Sequence, residues 1–187
     1  MSLNNIINPI KTHKKGKKPL ILAHRGLVTK FQENTMSAVK AAMESEKCNG
    51  CEFDVFLTKD NKVVLFHDEN LKRVTGVNRS IYEMTWKELQ NLCVQKSIEV
   101  DGGLRQYEKE EKIPLLSDVL EEIKGKDFFV DIEIKAYRPQ WSQRKTGSEV
   151  AKIIQATGTE NQVVCSSFDF FMLHNLEREH KSIFSGF

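Results

Sequence analysis

The sequence reads Leu20-Ile-Leu-Ala-His24-Arg25-Gly26, then Glu33-Asn34-Thr35, then Cys51-Glu52-Phe53-Asp54-Val55, and closes on Val63-Val-Leu-Phe-His67-Asp68. Histidines, carboxylates and an arginine lie within or directly after runs of apolar residues. Burying an unpaired charge is costly, so ionisable groups at the ends of core segments point to chemistry. The apolar runs carry the fold. Leu20–Ala23 lacks polar alternation, as expected of a short strand in a parallel sheet covered on both faces. Cys51–Leu57 is the next strand. Between them, Thr35 to Glu46 reads as a helix capped by Asn34 or Thr35, with Met36, Val39 and Met43 along one side.

The link Thr58-Lys59-Asp60-Asn61-Lys62 is too short for a parallel crossover, which needs about a dozen residues or more. It predicts a hairpin, since Asp and Asn tolerate the left-handed backbone of a tight turn. With Asp60 and Asn61 as the turn, residue 57 pairs with 64 and Asp54 lies opposite His67. Opposed residues share a face. Glu52, Asp54 and His67 are therefore expected on one side, with Phe53, Val55 and Phe66 on the other.

Residues 69–116 are more polar and read as an insertion-like excursion, with a short helix over Thr85–Cys93 and a loop through Asp101-Gly102-Gly103. Alternation of strand and helix then resumes. A helix runs from Ser117, whose hydroxyl is expected to cap it, to about Lys124. Phe128–Ile134 is a strand, Ser148–Ala156 a helix, Gln162–Ser166 a strand and Phe170–Glu179 a helix, and Ser182–Phe184 begins one more strand. This order predicts an α/β fold.

In Asp131-Ile132-Glu133-Ile134-Lys135, a period of two puts Asp131, Glu133 and Lys135 on one face. Together with Glu52 and Asp54 they offer the hard oxygen ligands that suit Ca2+ or Mg2+. A buried salt-bridge network among these acids, Arg25 and Lys135 accounts for the same residues without a metal. Either histidine alone suits a structural role. Together, at strand ends next to the carboxylates, His24 and His67 point to acid–base chemistry. His13, His174 and His180 lack that setting.

Composition narrows the classes. A chain of 187 residues, 40% hydrophobic and 29% charged, fits one globular domain. No apolar run approaches the roughly 20 residues of a membrane span. Met1–Lys18 lacks the apolar segment of a secretory signal, so a cytoplasmic location is expected. A net charge of +2 gives no footprint for nucleic acid. Residues 1–18 form a basic arm (Lys11, Lys14, Lys15, Lys17, Lys18) that reads as a solvated tail. Cys48 and Cys51 have zinc-knuckle spacing, but nothing completes four ligands. Reduced structural cysteines are expected there, with a redox pair as the alternative. Oligomeric state leaves no mark.

Taken in order, His24-Arg25-Gly26, Glu33-Asn34-Thr35, Glu52-Phe-Asp54, His67-Asp68, Leu71 with Arg73, Ile113-Pro114-Leu115, Glu133-Ile134-Lys135 and Ser166-Ser167-Phe168-Asp169 resemble the glycerophosphodiester phosphodiesterases of the phospholipase-C-like barrel group. Each piece is weak alone; their order and spacing are highly specific, and the likeness covers about residues 20–187. The resemblance implies a TIM-type (β/α)8 barrel over residues 19–187. It implies metal-dependent hydrolysis of a small-molecule glycerophosphodiester to sn-glycerol 3-phosphate and an alcohol. Glu52, Asp54 and Glu133 would hold one divalent cation, Ca2+ or Mg2+. His24 and His67 would be the acid and base pair, Arg25 and Lys135 would hold the phosphate oxygens, and Glu33 and Asn34 would support the loop carrying His24.

Other readings are a lysophospholipase D-like enzyme on longer lipids, marked by an apolar channel, and a non-catalytic phosphate-binding barrel. The sequence departs from the family in two ways. Gln32 stands where proline is usual, with an expected effect on loop stiffness and little else. A complete barrel takes about 250 residues, so a sequence ending at Phe187, near the sixth strand, is expected to lack the last strands.

Overall fold

The computed structural model describes residues 19–100, 102–137 and 143–186. The basic arm over 1–18 and Asp101 lie outside the described residues. In chain order the strands are β1 (Leu22–His24), β2 (Gly50–Leu57), β3 (Val63–Leu65), β4 (Ser97–Val100), β5 (Gly103–Gln106), β6 (Phe129–Ile134), β7 (Val163–Ser166) and β8 (Phe184–Gly186). The helices are α1 (Met36–Met43), α2 (Lys72–Thr75), α3 (Trp86–Leu89), α4 (Leu116–Ile123), α5 (Thr146–Thr157) and α6 (Phe170–Glu179), with a 3-10 turn at Ile81–Glu83.

β1, β2, β6, β7 and β8 lie parallel in that order, and β3 runs antiparallel beside the second half of β2. Among the described residues β1 pairs only with β2 and β8 only with β7, so the sheet is not seen to close into a barrel. Alternation along the strands divides their faces. Phe53, Val55, Val130, Ile132, Ile134, Val163 and Cys165 join Val39, Leu120, Ile154 and Leu176 from the helices in one buried core. Hydrophobic burial against the helix layer therefore fixes which side chains remain for the other face of the sheet.

The hairpin departs from the expected register by one residue. Leu57 pairs with Val63 and Val55 with Leu65, and the Phe66 amide donates to the Asp54 carbonyl (3.0 Å). Asp54 thus lies opposite Phe66, and His67 falls beyond the end of β3. Phe66 packs with Phe56 and Val64 in a second cluster, away from Phe53 and Val55. The cause is the turn chemistry. A two-residue type I′ turn needs positive φ at both central positions, whereas here only Asn61 adopts it (φ 62°). Thr58 closes a longer loop, its amide donating to the Lys62 carbonyl (2.8 Å) and its hydroxyl to Asp60 Oδ1 (2.7 Å).

Residues 69–116 carry the second cluster, in which Leu71, Val74, Ile81, Leu89 and Ile113 pack beneath Phe56 and Val64. The helix expected over Thr85–Cys93 is shorter, α3 alone, opened by a capping box between Thr85 and Glu88. Of the expected loop at 101–103, Gly103 instead opens β5, which pairs with β4 as a hairpin. Ser117 does not cap α4. The helix begins at Leu116, so Ser117 lies inside its first turn and its hydroxyl donates to Asp118 (3.2 Å). A bridge between Val64 and Leu115 fixes that entry instead.

Candidate active site

Strand register assembles the site. His24 is paired with Glu52, Glu52 with Asp131, Asp54 with Glu133, and Glu133 with Ser166. Neighbouring residues in a sheet point to the same face, so acidic groups from β2 and β6 converge at the carboxyl ends of the parallel strands. Glu52, Asp54 and Glu133 each place an oxygen within 4.8 Å of the others. Asp54 is the deepest, 1% exposed. The ion pairs expected as the alternative are partly present. Lys135 Nζ donates to Glu133 Oε1 (2.8 Å) and lies 3.0 Å from Asp54 Oδ1, while Arg25 Nε lies 3.4 Å from Asp54 Oδ2. These pairs do not complete the cluster. Glu52 Oε1 is buried and accepts no hydrogen bond, a costly state for a carboxylate oxygen, and Asp54 Oδ1 has the Lys135 ammonium as its partner. The three carboxylates could hold a divalent cation, which would supply the partner that Glu52 Oε1 lacks.

Burial, with the Asp54 charge adding to it, pushes Glu52 up to about 8. Burial also raises Asp131, against the Ser166 hydroxyl that donates to it (2.9 Å). The sign of the Glu52 effect is testable. Its carboxyl is ordinarily near 4.5 and is about 8 in the metal-free fold, so the folded chain holds a proton that the unfolded chain releases between those values. Stability from this group is present below the lower value and lost as pH rises toward the upper one. We expect the melting temperature of the metal-free chain to fall from pH 5 to 8, and Mg2+ or Ca2+ to raise it more at pH 8 than at pH 6. Calorimetric unfolding checks this; an increment independent of pH would remove Glu52 from the cation site.

The loop after β1 positions the basic groups. Arg25 and Asn34 both adopt the left-handed conformation (φ 56° each), a strain of order 1–3 kcal/mol per residue that clusters at functional sites. Arg25 turns its amide to Glu52 Oε2 (2.9 Å) and its guanidinium to Glu33 Oε1 (3.3 Å). Gly26 (φ 81°) lets the chain lie on α1, where an added Cβ would stand 2.7 Å from Ala38 Cβ. Asn34 reads Asp54 twice, donating Nδ2 to Oδ2 (2.8 Å) and accepting the Asp54 amide at Oδ1 (3.0 Å). Gln32, 1% exposed, does more than alter loop stiffness. Its Nε2 donates to the carbonyls of Lys109 (2.7 Å) and Gln95 (3.2 Å), tying the loop to the segment 69–116.

The two histidines join the cluster differently. His24 Nε2 lies 3.8 Å from Glu52 Oε2, with its side chain 61% exposed. His67 joins by a relay instead of the expected cross-strand pairing. Its Nδ1 meets Asp68 Oδ1 at 2.6 Å, and Arg73 Nε donates to Asp68 Oδ2 at 2.5 Å. Arg73 also donates to both Glu33 oxygens (2.6 and 3.0 Å), and Glu33 meets Arg25. Burial raises Asp68, but the bonds from His67 and Arg73 outweigh it and hold the carboxyl at about 2. An ionised Asp68 accepts the Nδ1 proton, leaving Nε2 as the lone-pair nitrogen of the neutral imidazole. Tyr137 completes the surroundings. Its ring stacks on Phe56 (5.9 Å), meets the His67 ring edge-on (6.5 Å) and lies 5.9 Å from Lys135 Nζ. Asp68 and Arg73 stand in the sequence motifs without an assigned role there. Tyr137 carries no sequence signal, since it follows β6 with no periodic context.

Parallel strands with intervening helices, and a carboxylate cluster at the strands' carboxyl ends beside two histidines, define an α/β domain with an acidic site at one end of its sheet. The chain belongs to the glycerophosphoryl diester phosphodiesterase family, whose sequence model matches residues 24–185. A glycerophosphodiester phosphodiesterase of Caldanaerobacter subterraneus subsp. tengcongensis is 36% identical over 163 residues, 86% of this chain and 63% of that protein. Human lysophospholipase D GDPD1 is 27% identical over 87% of this chain and 49% of its own length. The crystal structure of the Thermotoga maritima glycerophosphodiester phosphodiesterase matches with a TM-score of 0.66 at 33% identity, covering 91% of this chain and 62% of that one. An Oleispira antarctica phosphodiesterase, solved with the product sn-glycerol-3-phosphate, shares the fold with a TM-score of 0.72 at 23% identity, over 90% of this chain and 65% of that one. The chain thus spans about three fifths of the length of the first of these relatives. Among the described residues no helix is long and apolar enough to cross a membrane.

Proposed function

We propose that the chain carries a divalent-cation-dependent phosphodiesterase site that hydrolyses glycerophosphodiesters to sn-glycerol 3-phosphate and an alcohol. The observation that carries this reading is the Glu52, Asp54 and Glu133 cluster, with its buried, unpartnered Glu52 Oε1, beside Arg25 and Lys135. The family assignment and the product bound by the Oleispira antarctica relative support it. In this reading the sheet is that of a TIM-type barrel with the site at its carboxyl-end face.

A phosphodiester is an anion that resists attack, and charge builds on its oxygens in the transition state. Glu52, Asp54 and Glu133 hold Ca2+ or Mg2+, which when bound supplies Lewis-acid stabilisation of that charge. Arg25 and Lys135 add fixed positive charge on the same oxygens. Glu33 and Asn34 hold Arg25 and Asp54 in place. His24 and His67 transfer the protons that leave the nucleophile and reach the departing alkoxide, and Asp68 keeps His67 in one tautomer.

The test is phosphorus NMR of glycerophosphocholine incubated with the full chain and Mg2+ or Ca2+. The expected result is the growth of an sn-glycerol 3-phosphate resonance. Growth of choline phosphate, or an unchanged diester with both ions, would overturn the proposal.

A further inference from the structure

The β4–β5 hairpin stands on a narrow neck, and one buried amide holds it. Val94 and Glu111 exchange backbone hydrogen bonds (2.8 and 3.1 Å), and the Tyr107 amide donates to the Lys96 carbonyl (2.8 Å), which closes the two feet of the hairpin on each other. Gln32 reaches both feet. Its Nε2 donates to the carbonyl of Gln95 (3.2 Å), before β4, and to that of Lys109 (2.7 Å), after β5. On its own side Gln32 directly precedes the two residues that order the site. Its carbonyl accepts the Thr35 hydroxyl (2.7 Å), Glu33 meets Arg25, and Asn34 holds Asp54 while donating its amide to the Arg25 carbonyl (3.0 Å). The hairpin itself returns to the same place, because Arg73 donates to the Glu99 carbonyl (2.7 Å) and to both Glu33 oxygens (2.6 and 3.0 Å). Hairpin, Arg73, Glu33 and Gln32 therefore form a closed ring of contacts.

Two features single out Gln32 within that ring. Its Oε1 is buried and accepts no hydrogen bond, a cost that an apolar side chain of the same shape avoids. A cavity of about 420 Å³ lies between the loop and the second foot, lined by Lys30, Phe31, Gln32, Gln106 and Tyr107. Hydrogen bonds from Gln32, and from Tyr107 Oη to the Val28 carbonyl (3.1 Å), thus join parts that apolar packing does not fill. Proline, usual in the family at this position, stiffens a loop by itself through its fixed φ. A glutamine does so only while the neck is in place. We propose that Gln32 is a positioning residue that makes the order of Glu33 and Asn34, and through them of Arg25 and Asp54, depend on the seating of the β4–β5 hairpin. Ile98 and Leu104 of that hairpin form one wall of a cleft of about 800 Å³ beside His67. Displacement of this wall is then felt at the arginine that, in the hydrolase reading on which the effect on rate rests, holds the phosphate.

The experiment is amide hydrogen exchange by mass spectrometry on the full chain and on its Gln32→Met and Gln32→Pro variants, with glycerophosphocholine hydrolysis followed on the same samples. Gln32→Met keeps the volume and removes the donor. It is expected to speed exchange about tenfold both in the neck, over 94–111, and in the loop, over 25–35, and to lower kcat/KM about tenfold. Gln32→Pro is expected to return loop exchange and kcat/KM to within about threefold of the parent while the neck stays fast. A merely structural loss shows no such rescue. Among the described residues the Gln32 amide donates no backbone hydrogen bond, so proline forfeits none there. Faster exchange in only one of the two segments of Gln32→Met, or in neither, would overturn the proposal. So would a proline variant whose loop exchanges as fast as that of Gln32→Met, or an active enzyme with unchanged kcat/KM in Gln32→Met. Hydrolysis by none of the three chains counts against the hydrolase reading alone, and the exchange pattern still decides the role of Gln32.

Discussion

Asp54→Asn is expected to lower kcat/KM for glycerophosphocholine by about 10³-fold or more, since under the proposed function it removes a cation ligand from a site that works by charge stabilisation. Asp54 is also the electrostatic centre of the cluster. It lies 3.4 Å from Arg25 Nε and 3.0 Å from Lys135 Nζ and accepts Asn34 Nδ2 at 2.8 Å. An asparagine keeps the shape and loses the charge. If its amide nitrogen takes the Oδ2 position it meets Asn34 Nδ2 donor to donor, and if it takes the Oδ1 position it faces the Lys135 ammonium. Removing one partner of a buried ion pair costs about 3–5 kcal/mol. Glu33 still faces Arg25 and Glu133 still faces Lys135, which places the loss toward the lower end. Steady-state kinetics at saturating Mg2+, with thermal unfolding of the same sample, measures both effects. A variant with parental rate and cation affinity would take Asp54 out of the site.

His67→Ala is expected to lower kcat by about 10²–10⁴-fold, the usual contribution of one positioned acid or base, with little change in KM because His67 carries none of the charge that holds phosphate. Asp68→Asn is expected to lose part of the same factor. Its carboxyl, held at about 2, is ionised through the working pH range, so it orients the imidazole at every pH at which the enzyme is assayed. Arg73 keeps its Glu33 bonds in that variant, and the fold should therefore survive. A kcat for His67→Ala within a few-fold of the parent would leave His24 as the sole candidate for proton transfer.

The residues fixed by periodicity were legible in the sequence. Alternation along Asp131 to Lys135 put Asp131, Glu133 and Lys135 on one face, and the structure joins Glu133 and Lys135 to Glu52 and Asp54 there. The Phe170–Glu179 helix was legible to the residue, and the structure caps it with Asp169, whose side chain accepts from the Phe171 amide (2.8 Å), and buries Met172, Leu173 and Leu176. What failed depended on contacts distant in sequence. The hairpin slipped by one because Thr58 and Asp60 bind locally while Asp60 also accepts from the Trp86 amide (2.9 Å). No spacing rule announces that Arg73 meets Glu33, 40 residues earlier, so the relay to His67 stayed hidden behind a simpler cross-strand pairing. Around the loop read at 101–103 the strands β4 and β5 went unread, because they are only four residues each, too short for alternation to declare itself.

The central claim is that Glu52, Asp54 and Glu133 hold one divalent cation on which hydrolysis depends. Calorimetric titration of the metal-stripped chain with Mg2+ or Ca2+, with glycerophosphocholine hydrolysis followed on the same samples, tests it most directly. The account predicts one ion bound per chain, a rate that rises with occupancy, and loss of both in Glu133→Gln. Full hydrolysis in the presence of a chelator, or unchanged cation affinity in Glu133→Gln, would contradict it.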